Sequence, residues 1–344
     1  MGASEASGSA PSKFSLFSFR KQRDNYREYS NQLIDAHTSE AAGSLRSEDE
    51  RRLKEHTRYY YERIYERASA VSRDRNFWNF GYSGADVLEG IREHIPEFAD
   101  RNETDGFSEQ LYFYTVMQLP IKFEELPGMS LLDIGCGGGE GLNFLSRTLP
   151  DTHMIGLDLS HNAVDWANAR FSRDSRLRYV YGDAENVPVG DSELDVVVNV
   201  ESAHTYPDNR RFLEEVARIL KPGGYFSQVD VYSHGGKWTR TLSTRSEVDQ
   251  LEWICDKDIS AEVRASIRSR CEPGSFFQRQ FESLPRIYRA YIFRHFTFLY
   301  GRIFAGIPDD NYIKLLRRLR LFQAGKNETL PPGACYRYSL ARKR

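Results

Sequence analysis

Leu131-Leu132-Asp133-Ile134-Gly135-Cys136-Gly137-Gly138-Gly139-Glu140-Gly141 is the stretch on which the fold turns: an apolar run breaks into clustered glycines and resumes with helical spacing. It reads as a strand, a tight turn and a helix start. Glycines there let the backbone approach a ligand closely, because no Cβ intervenes and positive φ costs little. The helix start behind them offers unpaired N–H groups. Spacing separates two ligand classes. A dinucleotide fingerprint, Gly-x-Gly-x-x-Gly, needs its third glycine for close helix packing, and counted from Gly135 and Gly137 that position is Glu140. The pattern is instead Asp133-x-Gly135-x-Gly137-x-Gly139. A carboxylate ahead of the first glycine repels a pyrophosphate and suits the ammonium of an amino acid.

The segments that follow extend the reading. Met154–Ser160 reads as a second strand ending in Asp158, and Leu177–Glu185 as a third carrying Asp183 and Ala184 at its end. Leu194–Glu201 is too apolar to have a wet face, as expected of a central parallel strand. Phe212–Leu220 reads as a helix and Lys221-Pro222-Gly223-Gly224-Tyr225-Phe226 as the turn into a fifth strand. In this order the five motifs resemble the class I S-adenosylmethionine-dependent methyltransferases. The resemblance implies an α/β fold: a doubly wound, Rossmann-like, seven-stranded sheet, mostly parallel with the last strand antiparallel. It implies S-adenosyl-L-methionine as cofactor. Asp133, Gly135, Gly137 and Gly139 would wrap its methionine part, Asp158 with Leu159 would meet the ribose hydroxyls, and Asp183 with Ala184 the adenine. Asn199, at the end of the fourth strand, is a further expected cofactor contact.

Composition bounds the rest. The 344 residues suffice for one large domain with additions, and 40% hydrophobic content supports a real core. A formal net charge of −2 gives no reason to expect nucleic-acid binding through bulk charge. Cys136, Cys255, Cys271 and Cys335 lie far apart with no C-x-x-C pair. That argues against a metal site or disulfide scaffold and favours a reducing, cytoplasmic setting. No apolar run approaches the ~20 residues that span a bilayer, and no signal-peptide core is present. Met1-Gly2 is followed by Ala6 where a myristoylation motif prefers Ser or Thr.

The domain reading runs as follows: a flexible arm over 1–45, a helical cap over 46–125, the cofactor-binding core over 126–231, a helical substrate lid over 232–330 and a final strand over 331–344. The arm carries Phe14, Leu16, Phe17 and Phe19 beyond a Ser/Ala/Gly-rich start. Ser47-x-x-Glu50 is a capping box ahead of Leu53, Tyr60, Ile64, Ala68 and Val71, which predicts a helix from near 48 to near 72. Asn76-Phe77-Trp78-Asn79-Phe80-Gly81-Tyr82 and Gln110–Tyr114 resemble segments of the sterol and mycobacterial lipid methyltransferases, most closely the phthiotriolone and phenolphthiotriolone dimycocerosate group. By that resemblance Tyr82 and Gln110 would contact cofactor and Trp78 the acceptor. Aromatic faces suit a sulfonium cation, although Phe77 and Phe80 read better as core plugs.

Ligands in an open α/β sheet sit beyond the carboxyl ends of the strands. After the fourth strand come Glu201-Ser202-Ala203-His204-Thr205-Tyr206, a carboxylate, an imidazole and a phenol. Methyl transfer is an in-line displacement, so alignment and exclusion of water dominate. A base is needed only where the acceptor loses a proton. His204 suits a hydroxyl or enol, whereas Glu201 suits deprotonation of the carbocation left when an alkene is methylated. Tyr206 and, on the fifth strand, Tyr232 are expected to contact the acceptor.

Between 232 and 330, Ser260–Cys271 and Asn311–Phe322 have helical spacing. Between these helices lie Phe276, Phe277 and eight further rings from Phe281 to Phe304, with basic residues from Arg286 to Arg320. This suggests a lid over an apolar acceptor. For the basic residues a solvated face, an anionic acceptor such as an isoprenoid diphosphate and transient contact with an anionic membrane surface are open alternatives, and for the rings an ordinary core or a homodimer contact. The reading is therefore a methyltransferase acting on a hydroxyl or nitrogen of a hydrophobic natural product or lipid in secondary metabolism. Carbon methylation of an isoprenoid or sterol-like alkene, and a non-catalytic interaction protein on the same fold, are the alternatives.

Overall fold

The computed structural model describes residues 51–52, 54–55, 57–59, 62, 79–98, 104–173, 176–233, 244–279, 311–318 and 334–344. Seven strands form one sheet: β1 Ser130–Ile134, β2 His153–Asp158, β3 Leu177–Tyr181, β4 Leu194–Val200, β5 Leu220–Ser233, β6 Leu251–Asp258 and β7 Ala334–Lys343. Their order is β3-β2-β1-β4-β5-β7-β6. The first five run parallel, and β7 pairs antiparallel with both β5 and β6. This is the doubly wound, mostly parallel seven-stranded sheet with an antiparallel last strand that the resemblance implied.

Apolar residues at successive positions of β1 and β4 build the two sides of the sheet. Leu131, Val196 and Val198 join one core, with Leu142, Leu145 and Phe144, while Leu132, Ile134 and Val197 join the other, with Phe212, Leu213 and Val216. A strand buried on both faces needs no polar alternation. The helices that cover it are α1 Ala85–His94, α2 Phe107–Met117, α3 Glu140–Thr148, α4 His161–Phe171, α5 Asn209–Ile219, which begins three residues before the reading from Phe212, and α6 Ser260–Cys271. Ser160 and Asp208 cap α4 and α5 by accepting the N–H of Ala163 and Arg211.

The stretch read as a wholly helical lid contains β6, which closes the sheet beyond β7. Its alternation is masked because, as an edge strand, it buries only Leu251 fully and carries Glu252, Asp256, Lys257 and Asp258. α6 has the bounds expected, and a helix over Asn311–Arg318 begins where expected. Residues 51–52, 54–55, 57–59 and 62 are helical within the predicted 48–72 helix. Trp78, the N-terminal arm, the rings Phe281–Phe304 and the basic residues Arg286–Arg302 and Arg320 lie outside the described residues. Among the described residues no helix is long and apolar enough to cross a membrane, and no cluster of metal-ligating side chains occurs.

Candidate active site

The carboxyl ends of β1 to β4 converge on one open cavity, where ligands sit in such a sheet. The glycine turn forms its floor. Gly135 and Gly137 have φ of +78° and +56°, and a Cβ on Gly135 would fall 2.4 Å from Ser202 Oγ and 2.8 Å from the Tyr206 hydroxyl. Only bare backbone fits there. Asp158 ends β2 and lines the cavity; its carboxylate accepts the N–H of Gly137 and of Ser160, both at 2.9 Å. Burial raises its pKa against the pull of those amides. Asp183, Ala184 and Glu185 line the β3 end.

Asp133 lies beneath the turn and is fully buried. Its Oδ2 accepts the Tyr112 hydroxyl at 3.2 Å, and Oδ1 has no hydrogen-bond partner among the described residues. Burial, with the charge of Asp158 adding to it, pushes the carboxyl up to about 7 despite the Tyr112 bond. Tyr112, not Asp133, forms the wall here. The bare glycine turn, this orphan oxygen and Asp158 together fit the aminoacyl nucleoside cofactor that the sequence implied.

Glu201, Ser202, Thr205 and Tyr206 line the β4 end of the cavity. Glu201 takes the left-handed conformation, φ +51°, which strains a non-glycine residue. Both its oxygens accept the N–H of Phe80, at 3.0 and 3.1 Å. Burial first, then the charge of Asp230, raises its pKa to about 8. Tyr206 and Ser202 share a hydrogen bond of 2.9 Å above the turn.

His204 does not line the cavity but sits between residues that do. Its Nδ1 is 2.7 Å from Asp230 Oδ1, and its backbone N–H donates to Asp230 Oδ2 at 2.9 Å. Burial opposes the imidazolium, yet Asp230 overrides it and the pKa is raised. Asp230 is 1% exposed, toward the carboxyl end of β5. Sequence reasoning missed it, although an acid within the run Gln228–Tyr232 was a visible signal.

Lys54 was missed as well. Its ammonium is 2.8 Å from Asp183 and 2.5 Å from Glu185, and it lines the cavity with Thr57. Burial lowers its pKa, but the two carboxylates outweigh this and the net shift is upward. Glu62 accepts the N–H of His161 and Asn162 at 2.9 and 3.2 Å, at the start of α4. The described part of the N-terminal helix thus bridges the ends of β2 and β3.

Several expected site residues stand behind the wall rather than in it. Tyr82 stacks on Tyr114 with centroids 4.6 Å apart, and Gln110 accepts the Gly84 N–H at 3.0 Å. Gly139 abuts the Tyr179 ring, where a Cβ would fall 2.6 Å from it. Asn199 donates to the Ile134 carbonyl at 2.9 Å and to Ser202 Oγ at 2.7 Å. Tyr232 is buried against Arg245, which donates to its hydroxyl at 2.8 Å. These side chains meet their hydrogen-bonding or packing needs inside the protein, so they brace the loops that form the cavity.

Comparison with known proteins agrees with this geometry. Residues 132–227 match the family model described as a methyltransferase domain. The chain is 35% identical over 189 residues to a fatty-acid O-methyltransferase of Mycolicibacterium smegmatis, covering 54% of this chain and 63% of that protein. It is 38% identical over 159 residues to the phthiotriol/phenolphthiotriol dimycocerosates methyltransferase of Mycobacterium tuberculosis, covering 46% of this chain and 55% of the relative. The chain thus spans less than two thirds of either relative. A geranyl diphosphate C-methyltransferase from Streptomyces coelicolor superposes with a TM-score of 0.52 at 16% identity, over 85% of this chain and 98% of that one. A cyclase superposes with a TM-score of 0.54 at 17% identity, over 84% and 96%. At such identities the likeness shows the fold alone, and the cyclase illustrates that a fold does not fix a reaction.

Proposed function

We propose that this chain transfers a methyl group from S-adenosylmethionine to a hydroxyl, or less readily a nitrogen, of a hydrophobic small molecule or lipid. The observation that carries the reading is the His204–Asp230 pair, 2.7 Å between Nδ1 and Oδ1, beside a cavity floored by an acid-led glycine turn. The relatives' names, a fatty-acid O-methyltransferase and a phthiotriol/phenolphthiotriol dimycocerosates methyltransferase, support a lipid-like acceptor. Transient contact with a membrane surface, a homodimer and a cytoplasmic setting belong to the same proposal.

The cofactor, when bound, supplies an electrophilic methyl on a sulfonium. Everything else falls to side chains. Gly135 and Gly137 admit the ligand against bare backbone, and Asp158 holds the turn through Gly137 while offering its carboxylate to the cavity. Tyr112 forms the wall beside the turn, and the buried Asp133 holds its hydroxyl from behind. Asp230 holds the proton-bearing Nδ1 of His204, which leaves Nε2 as the ring atom that accepts the hydroxyl proton as the C–O bond forms. The electron pair of the broken C–S bond stays on sulfur.

A second reading rests on Glu201, which lines the cavity itself. There it suits removal of a proton from a carbocation, the need of carbon methylation. The two readings separate in one assay: mass gain of one methyl on a long-chain alcohol or fatty acid against gain on an isoprenoid alkene, with His204→Ala and Glu201→Gln. Loss of oxygen methylation in His204→Ala supports the first reading. Unchanged turnover in that variant removes the base assignment.

A further inference from the structure

We infer that Glu201 discriminates the charged methyl donor from its neutral product, releasing its proton as a sulfonium enters the cavity and regaining it once that charge has gone. The inference rests on the cofactor reading above, and concerns the selectivity of that same site.

The geometry leaves this carboxylate beside cations that are paired with other acids. Glu201 lines the cavity, and among the described residues its carboxylate accepts from the Phe80 N–H. Cations near it are committed elsewhere. Arg270, on α6, forms a bidentate pair with Asp105 at 2.7 and 3.0 Å and donates to the Asn79 carbonyl at 2.8 Å and to Ser108 at 2.9 Å. His204 is bound by Asp230. Lys54 is held at the β3 end of the cavity between Asp183 and Glu185.

The charged and titratable groups facing Glu201 are therefore Asp230 on β5, His204 after β4, Arg270 on α6 and, in the cavity, Asp158, with Tyr112, Cys136, Glu140, Asp183, Glu185, Tyr206 and Lys54 lining the remainder. Burial and Asp230 favour the neutral acid; Phe80, His204 and Arg270 favour the anion but do not prevail. Near neutral pH the acid form dominates in the ligand-free protein. A cation entering the cavity reverses that balance, because Coulomb attraction in a buried site is attenuated far less than in water. A thioether carries no charge and leaves the acid protonated. Donor affinity is then linked to proton release from Glu201, and product affinity is not.

The test is calorimetric titration of the purified full chain with S-adenosylmethionine and with S-adenosylhomocysteine at pH 7, each in two buffers of different ionisation enthalpy. The expected result is about half a proton or more released with the donor beyond that released with the product, given a carboxyl titrating about one unit above the working pH. Donor affinity relative to product should rise by up to about tenfold per pH unit as pH approaches that of the carboxyl. Glu201→Gln, which keeps an acceptor for Phe80, should lose this excess and this slope. Equal proton numbers for the two ligands in the wild-type protein, which needs no variant, overturn the inference, as does an excess that persists in Glu201→Gln. Binding of neither ligand overturns the cofactor reading, and the inference with it.

Discussion

Asp230 and His204 are joined twice: one carboxylate oxygen lies 2.7 Å from the ring Nδ1, and the other accepts the backbone N–H of the same histidine at 2.9 Å. The N–H of Val231 also donates to Asp230 at 2.8 Å. The pair links the turn after β4 to the carboxyl end of β5 and fixes both the orientation and the tautomer of the ring. Asp230→Asn can satisfy part of this geometry but presents an amide donor where Nδ1–H needs an acceptor. The expected outcome is a fall in turnover of about 10²-fold or more, with S-adenosylhomocysteine affinity within about threefold of wild type. Turnover measured by mass gain on the acceptor, against calorimetric affinity, checks it.

The same pair sets a pH dependence. His204 has its pKa raised in the folded protein, so a base role is lost as pH falls through that raised value, and the acidic limb of kcat/KM should lie above ~6.5, the ordinary histidine value. Its stability contribution has the opposite course. It is fully present below the unfolded value and disappears as pH rises through the folded one. In Asp230→Asn the acidic limb should move down by about one unit. A pH–rate profile of wild type and variant reads this directly.

Buried carboxyls that favour their neutral form weaken the fold as they ionise. Glu201 moves up to about 8 and Asp133 to about 7, in both cases chiefly by burial. A raised carboxyl binds more protons folded than unfolded, so its stabilising contribution is present at low pH and is lost as pH rises from the unfolded value through the folded one. Ligand-free Glu201→Gln is therefore expected to be more stable than wild type above pH ~8, by about 1–2 kcal/mol, with the gap closing toward pH ~5. Thermal melts of the two proteins across this range, without cofactor, measure the effect. A variant equally destabilised at every pH would contradict it.

How much of this was legible in the sequence follows from the range of the interactions. Gly135 and Gly137, Asp158 and Asp183 could be read because they stand at the ends of β1, β2 and β3, and a parallel sheet brings such ends together. Asp230 could not, because its role depends on β5 lying beside β4 in a register that sets Val229 opposite Val200, which brings a buried acid to a histidine 26 residues earlier. Lys54 was hidden for a similar reason. A lysine on an amphipathic helix looks solvated until the helix is seen against Asp183 and Glu185. Tyr82, Gln110 and Tyr232 show the reverse. Their residue types suit a ligand, yet Gly84, Tyr114 and Arg245 occupy them.

Lys54 offers a test of the cap. Removing its ammonium leaves Asp183 and Glu185 close together at the β3 end of the cavity, Glu185 almost fully buried. Lys54→Met keeps most of the aliphatic stem and should cost about 1–2 kcal/mol, at the lower end for a pair whose lysine is partly exposed. Because the lost attraction is between ionised groups, the cost should shrink when the carboxylates are protonated below pH ~4. Chemical denaturation of wild type and Lys54→Met at pH 7 and at acid pH decides this.

The glycine turn allows the sharpest separation of strain from crowding. Gly135 and Gly128 share a left-handed backbone, φ +78° and +82°, so alanine strains both alike, by about 1 kcal/mol. Their surroundings differ. A Cβ on Gly128 meets nothing within 4 Å, whereas one on Gly135 falls 2.4 Å from Ser202 Oγ and 2.6 Å from Ser202 Cβ, so the side chain and its backbone attachment must both shift. Ser202 is anchored to the Ile134 carbonyl at 3.1 Å and to Asn199 at 2.7 Å, so movement there disturbs the floor of the cavity. Gly128→Ala should therefore cost about 1 kcal/mol and leave S-adenosylhomocysteine affinity unchanged. Gly135→Ala should cost about 2–4 kcal/mol and weaken the ligand at least tenfold. Denaturation curves give the first quantity and calorimetry the second; equal ligand affinity in the two variants would show that the turn does not form the binding floor.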